Sequence, residues 1–343
     1  MKQNPLFSTL YIVGTGISIV MTMVIAIVYY VRLAPVYPET NRMRTLVVKS
    51  AKMTNDESTH SANISYAMLK DWFYSLESAE VSTGVSGTSY ARVTNDKEEI
   101  PTYARYTDEN FFRVFPLVFL EGKPFTEADR RSGIHNVVLT DSYAQQLFGT
   151  TKGVVGKNFL MDYTNVKVVG VVKSGSFLTP DSYAQVYLPY SCRDGYDDEG
   201  SHWALGGYRV YILMKESKSV TDVQDEVLEL IRKFNVSDMG DGWKLDLVGQ
   251  PELYWHSTFR LWSNVAVDWG RVIWMFVGIF MVLLFVPAFN LSGMISARME
   301  RQLPDLGIRK AFGASRRRLL VQIIWENLLL TGLGPLLGLV IAW

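Results

Sequence analysis

The run Tyr208-Arg209-Val210-Tyr211-Ile212-Leu213-Met214 (YRVYILM) is strongly β-prone and predicts a strand. A helix is predicted to follow over Val220–Phe234, where apolar residues recur at helical spacing. Thr221 and Gln224 have the spacing of a capping box at the start of that helix. Trp243–Val248 then alternates apolar and polar residues, as a half-buried strand does. These three elements predict one β-α-β unit.

A similar trio of elements lies nearer the N-terminus. Residues 44–51 predict a strand, residues 64–78 predict a helix, and Val81–Val85 predicts a second strand. Two β-α-β units at the two ends of a domain predict a split, ferredoxin-like α+β fold. The roughly 120 residues between the units then form an inserted second lobe, at about residues 100–205.

The predicted second lobe has its own recognisable elements. Val137–Leu139 leads into a helix predicted over Asp141–Phe148, which Gly149 is expected to end. Val166–Val172 (VKVVGVV) has the composition of a buried strand, and residues 193–201 are predicted to form an exposed loop.

Charged residues are absent from three long stretches of the chain. Uncharged runs of 29 and 26 residues lie between Lys2 and Arg32 and between Arg271 and Arg298, and residues 327–343 are uncharged as well. A membrane span needs about 20 mostly apolar residues. The first run is longer than the apolar core of a signal peptide, so an uncleaved anchor is predicted. The predicted transmembrane helices are residues 1–31, 269–297 and 319–343.

The segment Arg298–Arg318 is the most basic part of the chain, with seven Arg or Lys among 21 residues. Because basic loops stay on the cytoplasmic side of a membrane, residues 298–318 are predicted to be cytoplasmic. The N-terminus is then cytoplasmic too, and residues 32–268 are extracytoplasmic. The net charge of zero argues against a nucleic-acid-binding protein. Cys192 is the only cysteine, which excludes an intrachain disulfide and is compatible with a periplasm.

One stretch resembles a phosphate-binding loop but lacks its chemistry. Residues 149–158 contain the pair Gly156-Lys157, yet Thr151 stands where the first glycine belongs. Asn158 stands where a Ser or Thr would hold Mg²⁺. A turn between a helix and a strand is the better interpretation. No Gly-x-Ser-x-Gly motif is present either.

The sequence predicts no catalytic, cofactor-binding or metal site. Its four histidines are far apart and form no ligand pair of the His-Glu-x-x-His type; they are His60, His135, His202 and His256. The acidic run at residues 194–199 lacks the alternating spacing of a calcium loop, so a solvated loop is predicted.

Aromatic residues are frequent just before the second uncharged run, at Tyr254, Trp255, Trp262 and Trp269. They are consistent with an interfacial belt at headgroup depth. They are also consistent with a collar that contacts a substrate above the membrane. Both interpretations stay open at this stage.

The order and spacing of several short motifs resemble the MacB-like, FtsX-like permeases of ABC transporters. The N-terminal motifs are Asn110–Phe115, Leu120–Phe125, Val138–Asp141 with Ala144 and Leu147–Gly149, Val155–Lys157 and Val168–Val172. The C-terminal signature comprises Asn290, Arg298, Glu300, Gly307–Ala311, Gly313–Ser315, Gln322 and Glu326. Pro304 replaces the charged residue that is usual in this family at that position.

The resemblance implies an integral protein of the cell inner membrane with a periplasmic core. Family members have one span before the periplasmic domain and three after it, so the permease domain is expected to be truncated before a fourth span. It also implies a non-catalytic subunit without a cofactor of its own. ATP hydrolysis is expected on a separate ABC ATPase, and the permease is expected to pair with a second permease subunit. A membrane-fusion protein and an outer-membrane channel are further partners that the resemblance suggests.

The segment that resembles the family's ATPase-coupling loop is bounded by helix-breaking residues. Pro304, Gly307 and Gly313 can delimit a short helix, on which Ile308 and Phe312 form an apolar edge. The predicted coupling residues are Asp305, Gly307, Ile308, Arg309, Lys310, Phe312, Gly313 and Ala314. The alternative is that the basic residues only anchor the loop at an anionic leaflet, as is expected of Arg316–Arg318. Glu326 has either an intramembrane role or an interfacial position.

The function that the resemblance implies is efflux of peptides or antibiotics, driven by ATPase motion passed to the periplasmic domain. Two alternatives remain: lipoprotein extraction from the inner membrane, and FtsX-type signalling to a periplasmic partner. The size of the predicted core, residues 32–268, favours the transporter over the signalling protein.

Overall fold

The structure is a computed structural model that describes residues 20–87, 89–95, 98–197, 203–237 and 242–282, with shorter pieces beyond. Those pieces are residues 285, 307–308, 311–313, 315, 317, 321 and 324–325. The chain divides into two compact units, one of Ile27–Trp269 and one of Met1–Ala26 with Gly270–Trp343.

The regular elements are numbered in chain order. The strands are β1 (Thr45–Val48), β2 (Ala51–Thr54), β3 (Thr59–Ile64), β4 (Ala79–Ser86), β5 (Ser89–Asn95), β6 (Glu98–Thr107), β7 (Phe119–Gly122), β8 (Asn136–Thr140), β9 (Asn158–Met161), β10 (Thr164–Val172), β11 (Val186–Pro189), β12 (Leu205–Gly206), β13 (Tyr208–Met214), β14 (Lys244–Asp246) and β15 (Glu252–Leu253). The helices are α1 (20–33), α2 (Tyr66–Asp71), α3 (Phe111–Val114), α4 (Glu127–Arg131), α5 (Asp141–Phe148), α6 (Val220–Val236) and α7 (269–282). Single 3₁₀ turns cover Phe73–Ser75, Tyr190–Cys192 and His256–Phe259.

Strand β13 lies at the centre of the first sheet. The strands β4, β13, β1 and β15 lie side by side in that order, each antiparallel to the next. This is the strand order of two interleaved β-α-β units, with β1 and β13 as the central pair. The strands β14, β2, β3 and β12 extend the same sheet.

The two faces of this first sheet belong to two different cores. Val210 and Ile212 of β13 pack with α2 and α6 in one cluster of buried residues. Tyr211 and Leu213 point to the opposite face, where they pack with buried residues of α3 and of the second lobe. Because side chains alternate along a strand, one uninterrupted apolar run supplies both cores.

The second lobe is a seven-stranded sheet that closes on itself. Its strand order is β7-β10-β8-β11-β6-β5-β9, and β10 pairs with β9 as well as with β8. The long strand β10 therefore closes the ring of hydrogen bonds. Helix α5 covers this lobe through Tyr143, Ala144 and Leu147, which are buried with the strands' inward residues.

Two glycines allow the close approach of β7 and β10. Gly122 pairs with Gly170 and has a φ of +71°. A Cβ on Gly122 would lie 2.1 Å from the carbonyl oxygen of Val169, and one on Gly170 would lie 2.7 Å from that of Lys123. The close approach of the two strands thus explains why the Leu120–Phe125 and Val168–Val172 motifs each contain a glycine.

A buried ion cluster fixes the loop before β11 against the first sheet. Asp181 accepts a hydrogen bond from Arg209 of β13 at 3.0 Å, and Lys49 lies 3.6 Å from it. Arg105 of β6 donates to the carbonyls of Pro180 and Tyr183, at 2.7 and 3.1 Å. Burial raises the pKa of the Asp181 carboxyl, but Lys49, Arg209 and Arg105 outweigh that effect and hold the pKa well below its usual value.

Several sequence predictions for this unit were right in kind and wrong in extent. The strand predicted over 44–51 ends at Val48 and resumes as β2 after a break at Lys49 and Ser50. The strand predicted at 81–85 is the longer β4. Helix α5 with Gly149 in a left-handed conformation at its end is confirmed, and so is a strand through Val166–Val172.

The helix predicted over residues 64–78 is much shorter. Ser65 accepts a hydrogen bond from the Met68 amide, so α2 begins after Ser65 and Ile64 stays in β3. At the other end, the Ser75 hydroxyl donates to the carbonyls of Asp71 and Trp72. These are the carbonyls that would accept backbone hydrogen bonds if the helix continued. The four residues of the predicted stripe are nevertheless all buried; they are Ile64, Met68, Trp72 and Leu76.

Helix α6 starts with a capping box of Ser219 and Asp222, so the predicted box of Thr221 and Gln224 was wrong. Ser219 is the last extended residue, and the short Asp222 side chain reaches its amide at 2.6 Å. Gln224 instead donates to the carbonyl of Pro251 at 2.8 Å.

The strand predicted over Trp243–Val248 exists as β14, but it pairs with β2. The fourth strand of the two interleaved β-α-β units, which lies next to β1, is β15 instead. Val248 and Gly249 both have positive φ, of 54° and 73°, and this turn separates the two strands. Asn235 holds β14 beside the end of α6 through two hydrogen bonds to the backbone of Leu245.

Helical residues occur in all three stretches predicted to span the membrane, in α1, in α7 and at residues 321, 324 and 325. Among the residues that the structure describes, no helix combines the length and apolarity needed to cross a membrane. Residues 1–19, 286–306 and 326–343, which include most of the predicted spans, lie outside the described residues.

Replacing Gly122 by alanine tests the close approach of β7 and β10. Gly122→Ala is expected to lower the free energy of unfolding by about 3–4 kcal/mol, because backbone strain and a steric clash add together. Gly133→Ala is the matched control, since Gly133 has a φ of +61° but no atom near its added Cβ. It should cost about 1–2 kcal/mol. Equal losses in denaturant titrations of the detergent-solubilised chain would show that no close approach exists.

Removing the Asp181 charge tests the ion cluster. Asp181→Asn is expected to lower the free energy of unfolding at pH 7 by about 1–3 kcal/mol, because it leaves the half-buried Lys49 and Arg209 without their shared carboxylate. The folded-state pKa of Asp181 is lowered, so its contribution is present above the unfolded pKa of about 3.9 and is lost as the pH falls below it. The difference between wild type and variant should therefore narrow below about pH 4.

The exposed Asp71→Asn is the control, and it should change the free energy of unfolding by less than about 0.5 kcal/mol. A pH-independent difference between wild type and Asp181→Asn would contradict the assigned charge of Asp181.

Candidate functional site

The predicted coupling segment contains one helical turn whose apolar side chains face outward. The amide of Phe312 donates to the carbonyl of Ile308 at 3.1 Å, which closes the turn. Ile308 is 57% exposed and Phe312 is 88% exposed. Residues three or four apart lie on one side of a helix, so the two side chains share an edge.

Gly313 ends this turn in a left-handed conformation, with a φ of +91°. Glycine adopts that conformation without the steric penalty that a side chain adds, which is why it commonly follows the last residue of a helix. Residues 307, 308 and 311 are helical, so the predicted end of the helical piece at Gly313 is confirmed. The predicted break at its start stays a prediction, because residues 301–306 lie outside the described residues. Four of the predicted coupling residues lie outside the described residues: Asp305, Arg309, Lys310 and Ala314.

A second group of residues ties the segment after α1 to the rest of its unit. Arg42 donates to the carbonyl of Val31 in α1 at 3.0 Å and forms an ion pair with Glu39. Glu39 in turn accepts hydrogen bonds from the hydroxyls of Ser182 at 2.7 Å and Tyr254 at 2.9 Å. We call Glu39, Arg42, Ser182 and Tyr254 the stalk joint.

The stalk joint is buried, so its bonds are formed away from water. Glu39 and Arg42 are each less than 5% exposed, and the Arg42 guanidinium lies 5.0 Å from the centre of the Tyr254 ring. Burial raises the pKa of Glu39, while Arg42 and Ser182 oppose that rise. Low polarity strengthens such bonds and makes a broken one costly, so the joint is a rigid connection.

The stalk joint connects three parts of the chain that are distant in sequence. Glu39 and Arg42 follow α1, Ser182 belongs to the loop before β11, and Tyr254 follows β15. The stalk joint therefore links the end of α1 to the second lobe and to the segment that leads to α7. Sequence reasoning missed this group, because isolated charges in a polar stretch carry no pattern that predicts burial.

The aromatic residues before α7 do not form one group. Tyr254 is buried between the two sheets, so neither interpretation made for it from the sequence applies. Trp255 packs against His256, Phe259 and Trp269. Trp262 is exposed.

The stretch that resembles a phosphate-binding loop has the wrong order of elements. Helix α5 ends at Phe148 and β9 begins at Asn158, so the stretch is a turn from helix to strand, as predicted. A phosphate-binding loop connects a strand to the start of a helix. Among the described residues, no three His, Cys, Asp or Glu side chains group closely enough to hold a metal ion. His202, Asp198 and Glu199 lie outside those residues.

Curated relatives of this chain are named as export proteins. It is 25% identical over 234 residues to the pyoverdine export ATP-binding/permease protein PvdT of Pseudomonas entomophila, covering 66% of this chain and 33% of the relative. It is 23% identical over 221 residues to the macrolide export ATP-binding/permease protein MacB of Bdellovibrio bacteriovorus, covering 64% and 32%. The chain thus spans about a third of the length of these relatives.

Among solved structures, the periplasmic region of MacB from Actinobacillus actinomycetemcomitans is similar, at 16% identity and a TM-score of 0.41. The similarity covers 58% of this chain and 88% of that one.

Two family models match successive parts of the chain. The model of the FtsX-like permease C-terminal region matches residues 264–343. The model of the MacB-like periplasmic core domain matches residues 7–230, which is more than half of the chain. The chain therefore belongs to the family of ABC transporter permeases with a MacB-like periplasmic core domain and an FtsX-like permease domain.

Proposed function

We propose that this chain is the permease subunit of a MacB-type ABC transporter that exports peptides or antibiotics from the periplasm. The observation that carries the proposal is the presence of both family matches, in order, within one chain. The names of the curated relatives share export and differ in cargo, which is pyoverdine in one and a macrolide in the other. Export is thus better supported than any one cargo.

The proposed topology follows the charge pattern. Residues 1–31, 269–297 and 319–343 enter the inner membrane, residues 298–318 face the cytoplasm, and residues 32–268 form the periplasmic domain with its inserted lobe. The N-terminus is then cytoplasmic. The seven basic residues of the 298–318 segment support this orientation.

The proposed energy source is a separate ABC ATPase, and the family membership supports an ATPase as a partner. The ATPase receives the helical turn of residues 307–313 in a groove. Ile308 and Phe312 supply the apolar contact, and Arg309 and Lys310 pair with acidic residues of the ATPase. Two large apolar side chains are exposed on this one short turn. Their exposure favours docking to a protein over a purely electrostatic anchor.

The proposed motion passes from the membrane helices to the periplasmic domain through the stalk joint. Arg42 holds the end of α1, and Glu39 transmits its position to Ser182 and Tyr254. Two permease subunits then open and close their periplasmic domains against each other as the ATPase binds and hydrolyses ATP. A membrane-fusion protein and an outer-membrane channel complete the proposed assembly.

Replacing the apolar edge with acids tests ATPase docking. The double variant Ile308→Asp with Phe312→Asp is expected to weaken binding of the copurifying ATPase at least about tenfold, because it removes two buried apolar contacts. Stimulation of ATP hydrolysis by the reconstituted permease should fall in parallel. Arg317→Ala is the control, since the Arg316–Arg318 triplet is proposed to act only as an anchor. Unchanged affinity in the double variant would exclude docking through this edge.

Replacing each of the two glycines of the segment by alanine, one at a time, tests its backbone conformation. Gly313→Ala places a side chain at a φ of +91° and should destabilise the end of the turn by about 1–2 kcal/mol, weakening ATPase binding several-fold. Gly307→Ala is the matched control, because its helical position favours alanine over glycine by about 1 kcal/mol. If both variants bound the ATPase alike, the left-handed end of the turn would have no part in docking.

A further inference from the structure

A short turn next to α7 displays large apolar side chains to the outside. We call residues Leu261–Val265 the outer turn. Leu261 is 63% exposed and Trp262 is 66% exposed, and Val265 is exposed as well. No charged residue occurs from Leu261 to Val267. An exposed patch of this composition is expected at an interaction surface.

The outer turn is held in place by a buried arginine. The Arg260 side chain is 2% exposed and donates to the Glu252 carboxylate at 2.7 Å. It also donates to the carbonyl of Val265 at 2.5 Å and to that of Val248 at 3.3 Å. The Val265 amide donates to the carbonyl of Trp262 at 3.2 Å, which closes the turn. The apolar side chains are therefore exposed on a fixed scaffold.

The outer turn lies beside both ends of the unit Ile27–Trp269. The 3₁₀ turn just before it carries Phe259, whose ring stacks with that of Tyr29 in α1 at 6.5 Å. The same ring lies 5.9 Å from Trp269, the first residue of α7. The outer turn thus lies next to the points where the chain leaves α1 and enters α7, which are the end of the first long uncharged run and the start of the second.

We propose that the outer turn is a membrane foot, which inserts Leu261 and Trp262 at the headgroup–acyl boundary of the phospholipid bilayer. Trp favours this boundary because its ring is apolar while its N–H binds water or headgroups. The absence of charge from residues 261–267 and the adjacent uncharged runs favour lipid over a protein partner. This inference rests on the proposed membrane location of α1 and α7 and adds a third attachment point between them.

A third attachment point has a mechanical consequence. Arg260 connects the outer turn to Glu252 of β15, and β15 pairs with β1 at the centre of the first sheet. The foot therefore fixes the height of the first sheet above the bilayer.

Spin-label depth measurements on the full chain test the membrane foot. Cys192 is the only cysteine, so a Cys192→Ala background permits single labels at Trp262→Cys, Val236→Cys and Trp274→Cys. The chain is reconstituted in vesicles of phosphatidylethanolamine and phosphatidylglycerol. Collision of each nitroxide with oxygen, which is lipid-soluble, is compared with collision with a water-soluble nickel chelate. Thermal unfolding confirms that each labelled chain is folded.

The two reference positions give the scale. Val236 is exposed at the end of α6, about 25 Å along the helix from its start, and should report water. Trp274 in α7 is exposed and should report lipid if the proposed topology is right. The label at 262 is expected to show an oxygen-to-nickel collision ratio at least about threefold above that at 236.

The outcomes separate this inference from the proposed function. A water-like ratio at 262 with a lipid-like ratio at 274 would overturn the membrane foot and leave the permease assignment intact. Water-like ratios at both 262 and 274 would contradict the proposed topology as well. A label at 262 that neither reagent reaches would show that a second copy or another protein covers the outer turn, which would also overturn the proposal.

Discussion

The pairing of β13 with both β1 and β4 positions the other elements of the unit Ile27–Trp269. Every residue from Tyr208 to Met214 has a partner on one of these strands, and the side chains alternate between two cores. One face carries α2 and α6, and the other carries α3 and the second lobe. A one-residue slip of this strand would exchange Val210 and Ile212 with Arg209 and Tyr211, and would place the charge of Arg209 against the helices. The register of β13 therefore decides where Arg209 meets Asp181, and through Asp181 where the loop of the second lobe lies.

Patterns in the sequence predicted the elements whose side chains repeat at a regular spacing. The run of β13, the stripe of α6 and the helix Asp141–Phe148 with Gly149 all follow from local residue types, and all are present. The start of α2 after Ser65 was missed, and so was the capping role of Ser219, because both depend on single polar bonds. The pairing of β14 with β2 was also missed, because the positive φ of Val248 has no signal in a β-branched residue. In the coupling segment, spacing predicted the shared edge of Ile308 and Phe312, while the roles of Arg309 and Lys310 remain predictions.

Buried polar residues form the connections that no local pattern shows. Glu39 and Arg42 lie in a stretch that reads as a polar linker, yet both are buried and bridge α1 to Ser182 and Tyr254. Asp181 and Ser182 are neighbours, so one short loop is held by the first sheet through one residue and by the stalk joint through the next. Buried ion pairs and hydrogen bonds add little to the free energy of unfolding when every partner is present, but removing one partner lowers it strongly. They suit a connection that holds one geometry.

ATP is proposed to act on the periplasmic domain through residues 307–313 and the stalk joint. The most direct test is the distance between nitroxides at Val236→Cys in the two permease subunits of the reconstituted complex with its ATPase. Double electron–electron resonance would compare the nucleotide-free complex with one trapped by a non-hydrolysable ATP analogue. Nucleotide is expected to shift the distance distribution by several ångströms. An unchanged distribution in a complex that still hydrolyses ATP would exclude this route of transmission.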